Sequence, residues 1–259
     1  MNFNKKIKLL RGLKKSISLK QLSIGSWMQI PSSEIAEIMS YAGYDWIAVD
    51  MEHGSISFSQ LPDIFRALEL GGTLPFVRVP KSDVNYCNRS LDSGAVGLLL
   101  PDIKSKKHLE DIISGILWPP AGKRGVGFSR ANLYGKYFSE YKQIATNTLI
   151  IPMIEDIKVI NELEKILSLK RVDAIFIGPY DLSASMGIVG DFKNKDFINT
   201  INYIKKTCSK NNTPIGIHVV KPSKKDLIKK AKEGYGLIAY SSDSIFLEEN
   251  ATKPNDAIK

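Results

Sequence analysis

The chain predicts a closed eight-stranded β/α barrel, a TIM barrel of the α/β class, and three observations carry that expectation. It is 259 residues long, and such barrels take about 250 residues. Eight short apolar runs alternate with amphipathic stretches, the pattern of parallel strands buried on both faces with helices between them. No Gly-x-Gly-x-x-Gly follows any run, which disfavours an open doubly wound sheet. The Gly-Ala-Val-Gly at 94–97 precedes a run, the wrong side for a dinucleotide fingerprint.

Residues 3–19 open the chain as an amphipathic lid helix, with Ile7, Leu10, Leu13 and Ile17 at spacings of three to four. The expected strands are Ile24–Ile30, Trp46–Asp50, Leu74–Val79, Val96–Pro101, Leu149–Glu155, Ala174–Gly178, Ile215–Val220 and Leu237–Tyr240. The expected helices are Ser33–Ala42, Phe58–Leu70, Val84–Ser93, Ser105–Leu117, Ile157–Leu167, Phe197–Lys210 and Ser223–Lys232. One connection, Trp118 to Asn147, is long enough to carry its own helix or a function. Tyr134–Ile144 fits that helix, and Gly122–Gly127 offers cationic backbone to an anionic substrate, although it lacks the Gly-Lys-Ser/Thr ending of a P-loop. The division expected is a basic N-terminal helix over 1–22, a barrel over 23–247 and a polar, frayed tail over 248–259.

Apolar residues make up 43% of the chain and charged residues 24%, an ordinary balance for a globular domain. A core of this size folds without staples. Cys87 and Cys208 read as reduced, half-buried thiols in a cytoplasmic protein. No apolar run reaches membrane-span length, and the basic start lacks a signal-peptide h-region. The net charge of +9 gathers in residues 1–20 and Lys221–Lys232. No aromatic residues interleave with those runs and no nucleic-acid motif accompanies them, so they read as solvated helix faces rather than a nucleic-acid or membrane surface.

The strand ends hold the chemistry. Strand two ends in Asp50-Met51-Glu52-His53-Gly54, strand three in Val77-Arg78-Val79, strand five in Met153-Ile154-Glu155-Asp156, and strand six delivers Asp181. In a barrel these points share one rim. Arg78 closes an apolar run, where a long cation is costly unless an anion meets it. That anion is a substrate or, in the plainer reading, a neighbouring carboxylate. Glu155 and Asp181 together suit an all-oxygen site for Mg²⁺ or Mn²⁺, with Co²⁺ as a further option. Taken singly, each reads equally as a helix cap. Zinc would want more of the three histidines; His108 reads as an exposed surface residue and His218 as a core one, with a secondary pocket role left open because strand seven faces the same rim.

The strings GSW (25–27), AGYDWIAVDMEHG (42–54), VRV (77–79), LDSGAVGLLLP (91–101), WPPAGKRGVG (118–127), PMIED (152–156) and FIGPYDLSASMG (176–187) occur in the order of one family. Over roughly residues 20–245 the chain resembles the HpcH/HpaI aldolases, metal-dependent class II enzymes such as the 4-hydroxy-2-oxoheptanedioate and 2-dehydro-3-deoxyglucarate aldolases. The resemblance implies aldol cleavage or condensation of a 2-oxo acid with an aldehyde, through pyruvate enolate chemistry. It implies a homo-oligomer, a hexamer or dimer-based assembly with exchanged C-terminal helices, although the chain after Ser242 is short for one. It assigns Glu155 and Asp181 to the metal, His53 to acid–base work, Asp92 to raising the basicity of His53, and Arg78 to the enolate oxygen. Trp27, Met153, Gly178, Pro179 and Tyr180 would line the pocket. Met153 stands where many such aldolases have Gln, and Tyr180 where a small residue is common. Both alter the aldehyde side and keep open a citrate-synthase-like condensation of an acyl-CoA with a keto acid. A Schiff-base aldolase would need a desolvated rim lysine, for which Lys221 is the candidate.

Overall fold

In the computed structural model, which describes residues 1–251 and 258, eight parallel strands close on themselves in sequence order. They are β1 (Ser23–Met28), β2 (Trp46–Asp50), β3 (Leu74–Arg78), β4 (Gly97–Leu100), β5 (Leu149–Ile154), β6 (Ile175–Ile177), β7 (Ile215–Val219) and β8 (Leu237–Ser242). Each lies within a residue or two of the apolar run that predicts it. The expected α/β barrel is therefore the fold.

Two cores hold it together. An outer layer packs strand faces such as Val49, Val77, Leu98 and Ile177 against the helices. An inner column stacks Trp46 on Phe76, with ring centroids 5.2 Å apart. Large rings fit inside a small barrel only where a neighbour gives way: a Cβ on Gly97 would meet Phe76 at 2.6 Å. Alternating large and small residues is how such interiors fill.

The helices follow the strands in order: α2 (Ser33–Ser40), α3 (Leu61–Gly71), α4 (Val84–Ser93), α5 (Lys106–Ile116), α6 (Phe138–Asn147), α7 (Leu163–Leu167), α8 (Pro179–Ser185), α9 (Lys195–Lys210), α10 (Lys224–Lys232) and α11 (Asp243–Asn250). Ahead of them, α1 (Phe3–Ser18) buries Leu10, Leu13 and Ile17 together with Leu74, Val96, Leu149 and Ala174, at or just before the strand starts. It is a lid, as its periodicity predicts, but over the N-terminal mouth. The long connection folds on that side too. Its helix begins at Phe138 rather than Tyr134 and packs on α1. Within the cationic stretch before it, Arg124 is turned inward: it is 3% exposed and pairs with Asp92 at 2.6 Å.

Three further expectations change. The stretch from Ile157 is a 3-10 helix leading into α7, and α8 precedes α9 after strand six. Glu248–Asn250 belong to α11 rather than to a frayed tail, and the rest of that tail, 252–257 and 259, lies outside the described residues. His108 is half-buried, accepting from the Lys104 amide and bonding the Ser82 carbonyl. Both cysteines are fully buried and unpaired. Among the described residues no helix is long and apolar enough to cross a membrane.

One irregularity bears on function. Gly25 pairs with Ala239 but Trp27 with Ser242, so β8 carries an extra residue there. Ser241, at φ 56°, takes up the bulge. Ser26 Oγ fastens it by donating towards the carbonyls of Tyr240 and Ser241 at 2.9 and 3.1 Å. Bulges gather next to active sites because they re-aim the groups around them.

Candidate active site

A cavity of about 270 Å³ opens at the C-terminal rim, lined among others by Trp27, Asp50, His53, Arg78, Glu155 and Asp181. This is the end of the barrel where catalytic groups collect. Met153, Gly178, Pro179 and Tyr180 also line it, so every expected pocket residue but Asp92 reaches one place.

Strand register sets the cationic side. Asp50 and Arg78 are partners across β2 and β3, and the guanidinium grips the carboxylate twice, Nε to Oδ1 at 2.8 Å and Nη2 to Oδ2 at 2.6 Å. Asp50 also accepts from the amides of Glu52 and His53 and from Gln29 Nε2. Burial opposes its charge, but Arg78 and these donors hold the Asp50 carboxyl below the usual carboxylate range. The plainer reading of Arg78 is thus realised, and the residue faces the cavity as well. Its Nη1 lies 3.2 Å from Glu52 Oε2, and its guanidinium covers the Trp27 ring at 4.7 Å, a favourable cation–π contact.

The anionic side is Glu52, Glu155 and Asp181. Neither expected metal carboxylate is spent as a helix N-cap. Asp156 caps the turn after β5 by accepting from the Lys158 amide at 2.8 Å, which leaves Glu155 to the cavity. Asp181 sits inside the first turn of α8, whose N-cap is Gly178. A Cβ on Gly178 would meet Glu155 Cγ at 2.7 Å and Oε1 at 2.9 Å, so glycine there makes room for the acid. Burial, then the charges of Glu52 and Asp181, push Glu155 up to about 7, against the Asp102 amide that donates to it at 2.9 Å and against Arg78. Glu52 is likewise pushed up to about 7, first by burial and then by Asp50, Asp181 and Asp102, with Arg78 opposing. Its Oε2 is buried without a hydrogen bond.

These carboxylates are a hard, all-oxygen donor set crowded around one arginine, which fits a divalent cation. Among the described residues no three His, Cys, Asp or Glu side chains close to ligand spacing. Two carboxylates with substrate oxygens completing the shell do not require that.

His53 is 60% exposed, and its Nε2 lies 4.0 Å from Glu52. The expected partner, Asp92, is not brought to it within the chain. A helix after a strand runs back from the rim, so Asp92 near the end of α4 lies towards the opposite mouth. There its carboxylate accepts from Arg124 and lines a separate cavity with Arg89 and Ser93. Asp50 accepts the His53 backbone amide, which fixes the position of the residue and does not touch its ring. Sequence reading passed over Asp50 and Glu52. The signal was an acid closing the otherwise apolar run WIAVD, as anomalous as the arginine closing its neighbour. Lys221 does not fit a Schiff-base role: it is 81% exposed and paired with Glu249 at 3.2 Å.

Comparisons agree on one family. The model of the HpcH/HpaI aldolase/citrate lyase family matches residues 23–247. A 5-keto-4-deoxy-D-glucarate aldolase of Escherichia coli O157:H7 is 30% identical over 247 residues, covering 95% of this chain and 96% of the relative. A 2-dehydro-3,6-dideoxy-6-sulfogluconate aldolase of Pseudomonas putida is 32% identical over 238 residues, covering 91% and 92%. A crystal structure of a family protein from Burkholderia cenocepacia J2315 superposes with a TM-score of 0.88 at 27% identity, over 95% of this chain and 98% of that one.

Proposed function

The chain belongs to the HpcH/HpaI aldolase/citrate lyase family as a carbon–carbon lyase of the aldolase kind, and on that premise we propose that it cleaves and forms the aldol bond of a 2-oxo acid through a pyruvate enolate, using a divalent metal. The observation that carries this reading is the convergence of Asp50, Glu155 and Asp181 on one rim cavity around a single guanidinium, with Glu52 beside that guanidinium. Glu155 and Asp181 would hold the ion. Mg²⁺ and Mn²⁺ suit oxygen ligands best, with Co²⁺ accommodated. Once bound, such an ion polarises the keto oxygen as a Lewis acid.

The chain's own groups do the rest. In cleavage, His53 takes the proton of the C4 hydroxyl while the C3–C4 bond breaks. The bonding pair passes into the enolate and the aldehyde departs. Arg78, held flat by Asp50 and Trp27, keeps positive charge at the developing enolate oxygen without reorganising, the kind of fixed electrostatic help that dominates many rate enhancements. A proton delivered to C3 then yields pyruvate.

Two aldolase relatives favour this chemistry over the condensing alternative. By the same resemblance we propose a homo-oligomer. The test is exchange of pyruvate methyl protons in D₂O, followed by NMR, which needs no knowledge of the aldehyde. Exchange should vanish on chelation and return with Mn²⁺; full exchange in EDTA would sink the proposal. His53→Ala should slow aldol cleavage by about 10²–10⁴-fold, read in a coupled pyruvate assay.

A further inference from the structure

The outer wall of the barrel is loosely covered beside β7. Outward side chains on other strands, such as Val49, Leu98, Ile150 and Ile238, are 0% exposed, whereas Ile217 on β7 is 6% exposed. The helix that follows β7 explains the gap. Five of the nine residues of α10 are lysine, and the helix buries none of its side chains. Between α9 and α10 this leaves a cavity of about 560 Å³ with Ile217 in its lining, within the size range of small-molecule sites. Pro179, Tyr180, His218 and Val220 are a wall common to it and the rim cavity.

The two ends of this outer cavity differ. Towards the rim, Tyr180, Phe192 and Phe197 form a file of rings with successive centroids 5.0 and 5.3 Å apart. Towards the start of β8, two ammonium groups face the buried Tyr235 ring, Lys205 Nζ at 4.8 Å and Lys230 Nζ at 5.4 Å. Lys230 is paired with Glu233 at 3.0 Å. Lys205 is half-buried and, like Lys229, has no carboxylate partner among the described residues. A second cavity of about 360 Å³ meets the first at Lys205 and Glu233, and brings in Lys20 and Lys206. The Tyr235 hydroxyl makes no hydrogen bond to the described residues, and burial, then Glu233, pushes it up to about 12, so it remains a donor. Ammonium and phenol supply donors and positive charge, and the one carboxylate nearby is already paired; the group that completes this end is an anion.

We propose that the groove between α9 and α10 binds an aromatic carboxylate, its ring system beside Phe192 and Phe197 and its carboxylate at Lys205 and Tyr235. The assignment stands apart from the aldolase reading. The experiment titrates the full chain by calorimetry with 2-naphthoate and with its neutral analogue 2-naphthalenemethanol. It compares the wild type with Lys205→Met, Tyr235→Phe and Ile201→Trp. The wild type should bind one naphthoate per chain, about 10- to 100-fold more tightly than the alcohol, as a charged hydrogen bond provides. Lys205→Met keeps the alkyl stem and Tyr235→Phe keeps the ring, and each should lower that ratio by about 5- to 10-fold. Ile201→Trp should fill the groove and abolish binding of both compounds. Ratios taken within each protein cancel differences in folded fraction. A wild-type ratio near one, or a ratio unchanged in both the Met and Phe variants, overturns the proposal. So does displacement of naphthoate by pyruvate with Mn²⁺, which would put it in the rim cavity. Absence of binding overturns it too, as when a second copy of the chain fills the groove.

Discussion

The two mouths of the barrel each bury a cluster of charges, and they are built on opposite principles. At the N-terminal mouth Glu69 is flanked by two cations: Lys6 Nζ at 2.6 Å, which also donates to Gly94 O, and Arg130 Nη2 at 3.1 Å, whose Nη1 donates to Ser93 O. Burial would raise the Glu69 carboxyl, but the two cations hold it below its ordinary value. At the C-terminal rim the ratio is inverted, with Asp50, Glu52, Glu155 and Asp181 sharing Arg78, and Glu52 and Glu155 are pushed up to about 7. One cluster is complete and fastens the first helix to the barrel. The other leaves its carboxylates in excess, which is what the proposed cation and substrate would offset. Unbalanced buried charge of this kind is how perturbed groups come to mark functional sites.

Substitutions at the two ends should therefore fail differently. The largest effect is expected from Glu155→Gln, which keeps the shape but removes a ligand charge: metal-stimulated pyruvate exchange should fall by about 10³-fold or more, as for the loss of a group that stabilises developing charge. Near-normal exchange would place the ion elsewhere. Lys6→Ala should leave the rim intact but cost about 1.5–3 kcal/mol of stability, the loss of a buried charged hydrogen bond with Arg130 still paired to Glu69; urea unfolding checks it, and no measurable cost would make that cluster ornamental.

A third prediction uses pH. A carboxyl with its folded pKa near 7, above an ordinary value of 4.5, binds its proton more tightly in the folded chain. In the metal-free protein the resulting stability is fully present below about pH 4.5 and is lost as pH rises through about 7. Added Mn²⁺ should raise the melting temperature more at pH 8 than at pH 5.5, since ligands must shed their protons first. An equal rise at both pH values contradicts the charge-crowded rim. The smallest effect belongs to Lys221→Ala, whose exposed pair with Glu249 is worth at most about 1 kcal/mol; turnover should not change, and borohydride with pyruvate should trap no adduct on the wild type.

The barrel was legible because its strands are short apolar runs with helical spacing between them, a periodicity that survives without knowledge of contacts. Most of the rim was legible for a second reason: strand ends share one edge, so Arg78, Glu155 and Asp181 could be grouped before any coordinate. What the sequence hid was pairing across neighbours. Asp50 meets Arg78 only through the β2–β3 register. Asp92, carried over by resemblance, is tied to Arg124, a residue 32 positions away. For His218 the shared rim left a pocket role open beside the core one, and what stayed hidden was the β8 bulge whose Ser241 carbonyl its ring meets.

The first helix has a consequence for how the chain comes to be folded. Its apolar stripe leaves the ribosome before any strand, yet the ring of strand starts it covers exists only once residues 237–242 have been made and β8 has joined β1. Closing a ring from its two extremes is a non-local event, and contacts of high sequence separation form slowly. The nascent molecule thus carries an uncovered amphipathic segment until the last strand of the barrel has been made.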